Sequence, residues 1–156
     1  MRKVVIFFLL LISADSFCQR TTSFWIYPDV GYTYQKIHIA NAGLRIGVAQ
    51  KNAGYHVANY TVVFRTDVFK DNNTTNLSPV LGLRGYNYLF GTHNGISYGF
   101  YGSNFIVQGK TDWIITPEIG FAYLGCLNIS YGYSLNLDKR DLPFYSNHRI
   151  SLRFGL

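Results

Sequence analysis

Asn147-His148-Arg149-Ile150-Ser151-Leu152-Arg153-Phe154-Gly155-Leu156 is the stretch on which the reading of this chain turns. Ile150, Leu152, Phe154 and Leu156 fall on one side of an extended strand, and Arg149, Ser151, Arg153 and Gly155 on the other. Successive strand side chains point to opposite faces, so one face is wholly apolar and the other carries two cations. Apolar residues at every second position exclude a helix here.

The same two-residue period extends back through the chain. It predicts strands at residues 23–34, 39–50, 55–68, 80–90, 96–107, 113–124 and 127–137, with the last strand at 147–156. The seventh is the most regular: Leu127, Ile129, Tyr131, Tyr133, Leu135 and Leu137 alternate with Asn128, Ser130, Gly132, Ser134 and Asn136. In the fifth the phase blurs at Gly102-Ser103-Asn104, where a bulge is expected. Turn formers predict connections at 51–54, 69–78, 91–95, 108–112, 125–126 and 138–146. These alternate short and long, the two long ones being 69–78 and 138–146. Each strand is about as long as the 9–11 residues that a tilted strand needs to cross a bilayer.

Composition agrees. Of 156 residues, 48% are hydrophobic, 17% aromatic and only 14% charged, where a soluble domain carries nearer a quarter charged. Tyr, Phe and Gly are in excess, at 13, 12 and 15, which favours strands and tight turns. The formal charge of +6 is dispersed through predicted strands rather than gathered into a stripe, so nucleic acid is excluded as a partner.

The N-terminus has the plan of an export signal: Arg2 and Lys3, an apolar run over 4–12 too short to span a bilayer, and a polar exit ending near Cys18-Gln19. The expected division is a signal peptide at 1–18 and a barrel domain at 19–156. A lipoprotein reading would acylate Cys18, although Asp15-Ser16-Phe17 fits that poorly. After cleavage Cys126 is the remaining cysteine, so no intramolecular disulfide framework is expected.

The polar face carries charge of both signs: Asp29, Asp67 and Glu118 with Arg45, Arg65, Arg84, Arg149 and Arg153. Short pieces recur. Leu44-Arg45-Ile46-Gly47, Leu83-Arg84-Gly85-Tyr86 and Leu152-Arg153-Phe154-Gly155 each set Leu on the apolar side and Arg on the polar side. Pro28-Asp29-Val30-Gly31-Tyr32 and Pro117-Glu118-Ile119-Gly120-Phe121 each set an acid there.

Two barrels fit the alternation. With the apolar face inward, the chain is a soluble secreted lipocalin-like barrel that binds an apolar ligand. With it outward, the chain is a membrane barrel. The polar face is mostly Gly, Ser, Thr, Asn and Tyr with isolated Arg. That suits the narrow interior of eight strands better than a water-facing surface. The chain as a whole, from about Gln19 to Leu156, resembles the small eight-stranded outer-membrane β-barrel proteins of Gram-negative bacteria, broadly OmpA/OmpX-like. The Tyr- and Gly-rich style and the signal ending near Phe17-Cys18-Gln19 resemble Bacteroidetes-type proteins.

That resemblance implies an all-β, antiparallel up-and-down transmembrane barrel in the bacterial outer membrane, in contact with outer-membrane lipid and lipopolysaccharide. It also implies that Ile150, Leu152, Phe154 and Leu156 are part of the signal read by the barrel-assembly machinery. The family commonly ends on an aromatic residue, whereas here Phe154 is third from the end. A structural protein, or one that meets an extracellular partner through loops 69–78 and 138–146, is expected, with a narrow gated pore as the alternative. The interior charges are expected to pair as a network that fills the barrel.

No enzyme is expected, a rim-located lipid-modifying activity being the alternative, and no cofactor or metal. Ser146 and His148 lie two apart near a predicted rim, with Asp138 or Asp141 as a third member, but spacing alone does not make a triad. His38, His56 and His93 lack metal-ligand spacing. No Gly-rich loop opens a helix to hold a nucleotide.

Overall fold

The computed structural model describes residues 21–52, 55–71, 74–89, 94–107, 110–124, 126–138 and 146–154. Among them the chain is a closed antiparallel up-and-down barrel of eight strands. These are β1 (Thr21–Gln35), β2 (Ile37–Asn52), β3 (Tyr55–Asp71), β4 (Thr74–Tyr88), β5 (Gly95–Val107), β6 (Lys110–Tyr123), β7 (Leu127–Tyr133) and β8 (His148–Phe154). Each strand pairs with the one before it, and β8 pairs with both β7 and β1, which closes the ring. Closure removes the free edges that an open sheet would expose. One step past the Tyr133–His148 pair, the Ser134 backbone N–H donates to the Asn147 carbonyl at 2.6 Å. Beyond it, Leu135–Asn136 continues β7 alongside β6.

The inside-outside assignment follows the two-residue period along every strand. Asp29, Thr33, Arg45, Thr61, Arg65, Asp67, Arg84, Ser97, Thr116, Glu118, Ser130, Arg149 and Arg153 are buried inside. Phe24, Ile26, Leu44, Phe64, Leu81, Leu83, Phe100, Ile119, Phe121, Ile129, Ile150 and Phe154 are exposed outside. The apolar cup of a lipocalin-like barrel is therefore overturned: the apolar set faces outward, and the interior holds the ions.

The strands run longer than the sequence reading, 13 to 17 residues for β1 to β6. The expected long connection at 69–78 is mostly hairpin. Phe69 pairs with Asn76, Lys70 with Thr75 and Asp71 with Thr74. Its Asn and Thr content reads as loop, yet Thr favours strands and the alternation persists through Phe69, Asn76 and Ser78, all of which face inward. Likewise β6 starts at Lys110, and Asp112 is buried rather than in a loop.

We term the rim carrying the β1–β2, β3–β4, β5–β6 and β7–β8 connections rim A, and the opposite one rim B. Lys36, with φ 64°, turns β1 into β2 between paired Gln35 and Ile37. The other rim A connections are 72–73, 108–109 and the stretch 137–147, so the expected alternation of short and long connections reduces to one long connection at rim A. At Gly102-Ser103-Asn104, the expected site of a bulge, pairing to β6 stays in register through all three residues, while pairing to β4 ends at Val80 opposite Ser103. A register shift falls between Gln50 and Lys51 instead.

Candidate functional site: the charged interior and its apolar jacket

The repeated sequence pieces meet each other inside the barrel. Asp29 of β1 faces Arg45 of β2 at 3.3 Å and Arg84 of β4 at 3.6 Å. Arg45 and Arg84 both donate to the Tyr86 hydroxyl, at 2.9 and 3.0 Å. Glu118 of β6 takes a two-pronged contact from Arg153 of β8, at 2.6 and 2.9 Å, together with Arg149 at 3.2 Å and the Ser130 hydroxyl at 3.1 Å. Arg65 donates to Asp67 at 2.9 Å, and Asn41 donates to the same oxygen at 2.8 Å. All eight sequence-expected charges are thus buried, and each lies in an ion pair. Their pairing mostly crosses between strands far apart in sequence, and the strand alternation could not assign it.

Tyr101 joins these clusters and is missing from the sequence-expected set. It is fully buried, and its ring has the guanidinium groups of Arg65, Arg153 and Arg84 at 4.8, 5.0 and 5.4 Å. Cations over a desolvated aromatic face are stabilised by the ring quadrupole. Its hydroxyl accepts from Arg84 Nε at 2.5 Å. Two glycines seat the ring: a Cβ on Gly82 would lie 2.2 Å from it, and one on Gly99 2.7 Å. The signal available in the sequence was a Tyr in the inward phase of the fifth strand, set among Gly and Ser.

The interior differs at its two ends. Near rim A, Ile39, Phe69, Phe105 and Ile114 pack into an apolar plug, with the Phe69 and Phe105 rings 5.0 Å apart. Toward rim B, Arg45, Arg84, Tyr86, Asn128 and Arg153 line a recess of about 190 Å³, counting the part open to solvent. Among the described residues the interior is filled by side chains, as an eight-stranded barrel's bore allows. Buried there are five arginines and four carboxylates, Asp112 included.

The outer surface is the reverse. Large apolar side chains stand exposed on every strand, Phe24 at 68% and Leu83 and Ile119 at 62%. A continuous apolar jacket of this extent far exceeds the patches that monomeric water-soluble proteins leave uncovered. Ile150 and Phe154 of the expected assembly signal belong to it, Leu152 is half-exposed, and Leu156 lies outside the described residues. No family model, curated protein or solved structure matches the chain. What the molecule is for rests on its own geometry.

The rim residues singled out from sequence do not converge on one another. Ser146 Oγ accepts from the His148 backbone N–H at 3.2 Å, while the His148 ring engages Tyr131. Asp138 accepts from the Trp113 backbone N–H at 2.8 Å, and Asp141 lies outside the described residues. His38 meets Tyr32; the His56 side chain and His93 lie outside the described set. No group of three metal-ligating side chains occurs among the described residues. Trp25 is half-buried against Arg45, at 5.9 Å, whereas Trp113 is exposed on the jacket.

Proposed function

We propose that the chain is a small integral outer-membrane β-barrel protein of the OmpA/OmpX-like kind, delivered by a cleaved signal at 1–18. Its role is structural, or interacting through its rim A connection, rather than enzymatic. One observation carries this reading: large apolar side chains stand outside on all eight strands, while Asp29, Arg45, Arg65, Asp67, Arg84, Glu118, Arg149 and Arg153, on six of them, are buried inside. Burying apolar surface is worth roughly 25 cal/mol per Å², so the jacket is costly in water and favourable in a bilayer. Where the ring closes, from Val30 to Tyr34, its ladder pairs backbone groups internally, as a bilayer requires. Arg2, Lys3 and the apolar run at 4–12 support export.

Cell fractionation tests it. The expected result is a protein in the outer-membrane fraction, released only by detergent and running at a heat-dependent mobility on gels. Recovery from periplasm or medium without detergent overturns it. The packed interior and the plug at rim A also favour a closed barrel over a pore. In planar bilayers the protein and its Arg84→Ala variant should both lack steady conductance. An anion-selective current that Arg84→Ala abolishes would restore the pore reading.

A further inference from the structure

Two matching side-chain clasps stand on the outer surface near rim A. On β1 and β2, His38 lies directly opposite Tyr34 and its Nδ1 meets the hydroxyl of Tyr32. On β7 and β8, His148 lies directly opposite Tyr133 and its Nδ1 meets the hydroxyl of Tyr131 at 2.5 Å. In both, the imidazole packs beside both rings of a Tyr-x-Tyr pair, at centroid distances of 5.8 and 5.5 Å in the first and 6.0 and 5.4 Å in the second. The clasps flank the seam where β8 meets β1, with Ile150 paired to Tyr34 on one side and Tyr131 on the other.

The seam register places Tyr34 opposite Ile150. Lys36, the turn residue between β1 and β2, and His148 each lie two residues beyond that last pair. Lys36 is exposed and two residues from His38. Strand spacing sets β2 and β8 roughly 10 Å apart across β1, about the width of one lipid headgroup. No Asp or Glu faces outward from the described residues of β1, β2, β7 or β8.

The hydrogen-bond chemistry is directional. Where the phenol donates to the imidazole Nδ1, the neutral ring carries its proton on Nε2. That N–H points away from the phenol whether the ring is neutral or protonated. The strip therefore presents two oriented imidazole donors and one ammonium above aromatic rings, and below them the apolar jacket continues through Leu152, Ile129 and Val30. Oriented N–H donors beside a cation match a phosphate group. Amphipathic rings of this kind sit at the boundary between headgroups and acyl chains.

We propose that this strip, Lys36 with the Tyr32–His38 and Tyr131–His148 clasps, is a binding site for the phosphate headgroup of an anionic membrane lipid. The lipid's acyl chains lie along the β8–β1 seam. The proposal rests on the outer-membrane reading and names the residues through which the barrel would choose its lipid neighbours.

The test places the full barrel in phosphatidylcholine nanodiscs doped with phosphatidic acid, and counts retained lipids by native mass spectrometry after release. The wild type should retain phosphatidic acid preferentially. His38→Ala/His148→Ala should cut that preference roughly tenfold, a scale equal to losing one good charge-assisted contact. Lys36→Asn should act likewise, since Asn tolerates the positive φ while removing the charge. Tyr32→Phe/Tyr131→Phe should weaken it less, by freeing the rings to turn. Lys70→Gln, an exposed cation on β3 outside the strip, should change nothing. All the altered side chains are exposed, and heat-dependent gel mobility checks that each variant is folded.

No preference in the wild type overturns the site, as does a preference that survives the histidine double variant. So does an equal loss in Lys70→Gln, which would mean general electrostatics. A barrel that will not enter bilayers at all defeats the outer-membrane reading itself; one that enters without lipid preference defeats only the site.

Discussion

Glu118 holds two buried arginines, and replacing it by Gln should destabilise the barrel severely. Its carboxylate takes both Nη groups of Arg153, Arg149 Nε and the Ser130 hydroxyl, and the ion-pairing side chains are at most 2% exposed. Gln keeps the shape but not the charge, and turns an amide N–H₂ toward a guanidinium, donor against donor. Taken singly, charge-assisted bonds are worth roughly 1.5–3 kcal/mol each. Summing them overcounts, because part of each offsets the cost of desolvating the ions. Removing one partner of a buried pair costs about 3–5 kcal/mol. Two stranded arginines put Glu118→Gln at the upper end, about 5 kcal/mol, against a whole-domain stability of roughly 5–15 kcal/mol.

Urea unfolding of the refolded barrel in detergent, followed by tryptophan emission, measures the loss. Arg153→Gln and the double variant complete a cycle, in which the coupling should reach about 2 kcal/mol. A loss below about 1 kcal/mol, or strict additivity, would refute the reasoning. It would mean that the guanidinium groups exchange freely with water rather than depending on this carboxylate.

Two further expectations concern the wall. Gly43→Ala would place its Cβ 2.1 Å from the Phe64 carbonyl oxygen and 2.4 Å from the Arg65 Cα, both backbone, so strands β2 and β3 must part. The expected cost is about 1–3 kcal/mol by the same urea titration. Gly102→Ala, whose Cβ would meet nothing closer than 3.9 Å, should stay within about 0.5 kcal/mol of wild type. Leu83→Arg tests the jacket: in a bilayer an outward Arg near mid-height should cost about 2–4 kcal/mol. A change within about 0.5 kcal/mol, the norm for water-facing positions, would count against the lipid-facing assignment.

Which side of the wall each residue faces was legible from sequence wherever strands are regular, because a strand's period is two and one face must be uniform in its solvent. Arg84 beside Leu83, and Glu118 beside Pro117 and Ile119, declare their sides without any partner in view. Strand ends were not legible. Asn and Thr at 74–76 read as a loop by composition, and only pairing with 69–71 makes them strand. Turn preferences are local and weak, while a ladder already formed extends as far as cross-strand partners allow.

The sequence by itself determined the alternation, the two opposed faces and the set of eight ions on the polar one. Those follow from backbone geometry and side-chain solubility, which each residue carries with it. The tertiary structure alone decided the register. It set Arg153 and Arg149 on Glu118, and Arg45 and Arg84 on Asp29. It stood Tyr101 among three guanidinium groups, packed Phe69 against Phe105 near rim A, and brought the two Tyr–His clasps to either side of the seam. These are contacts between residues tens to over a hundred positions apart, and only the closing of the ring brings them within reach.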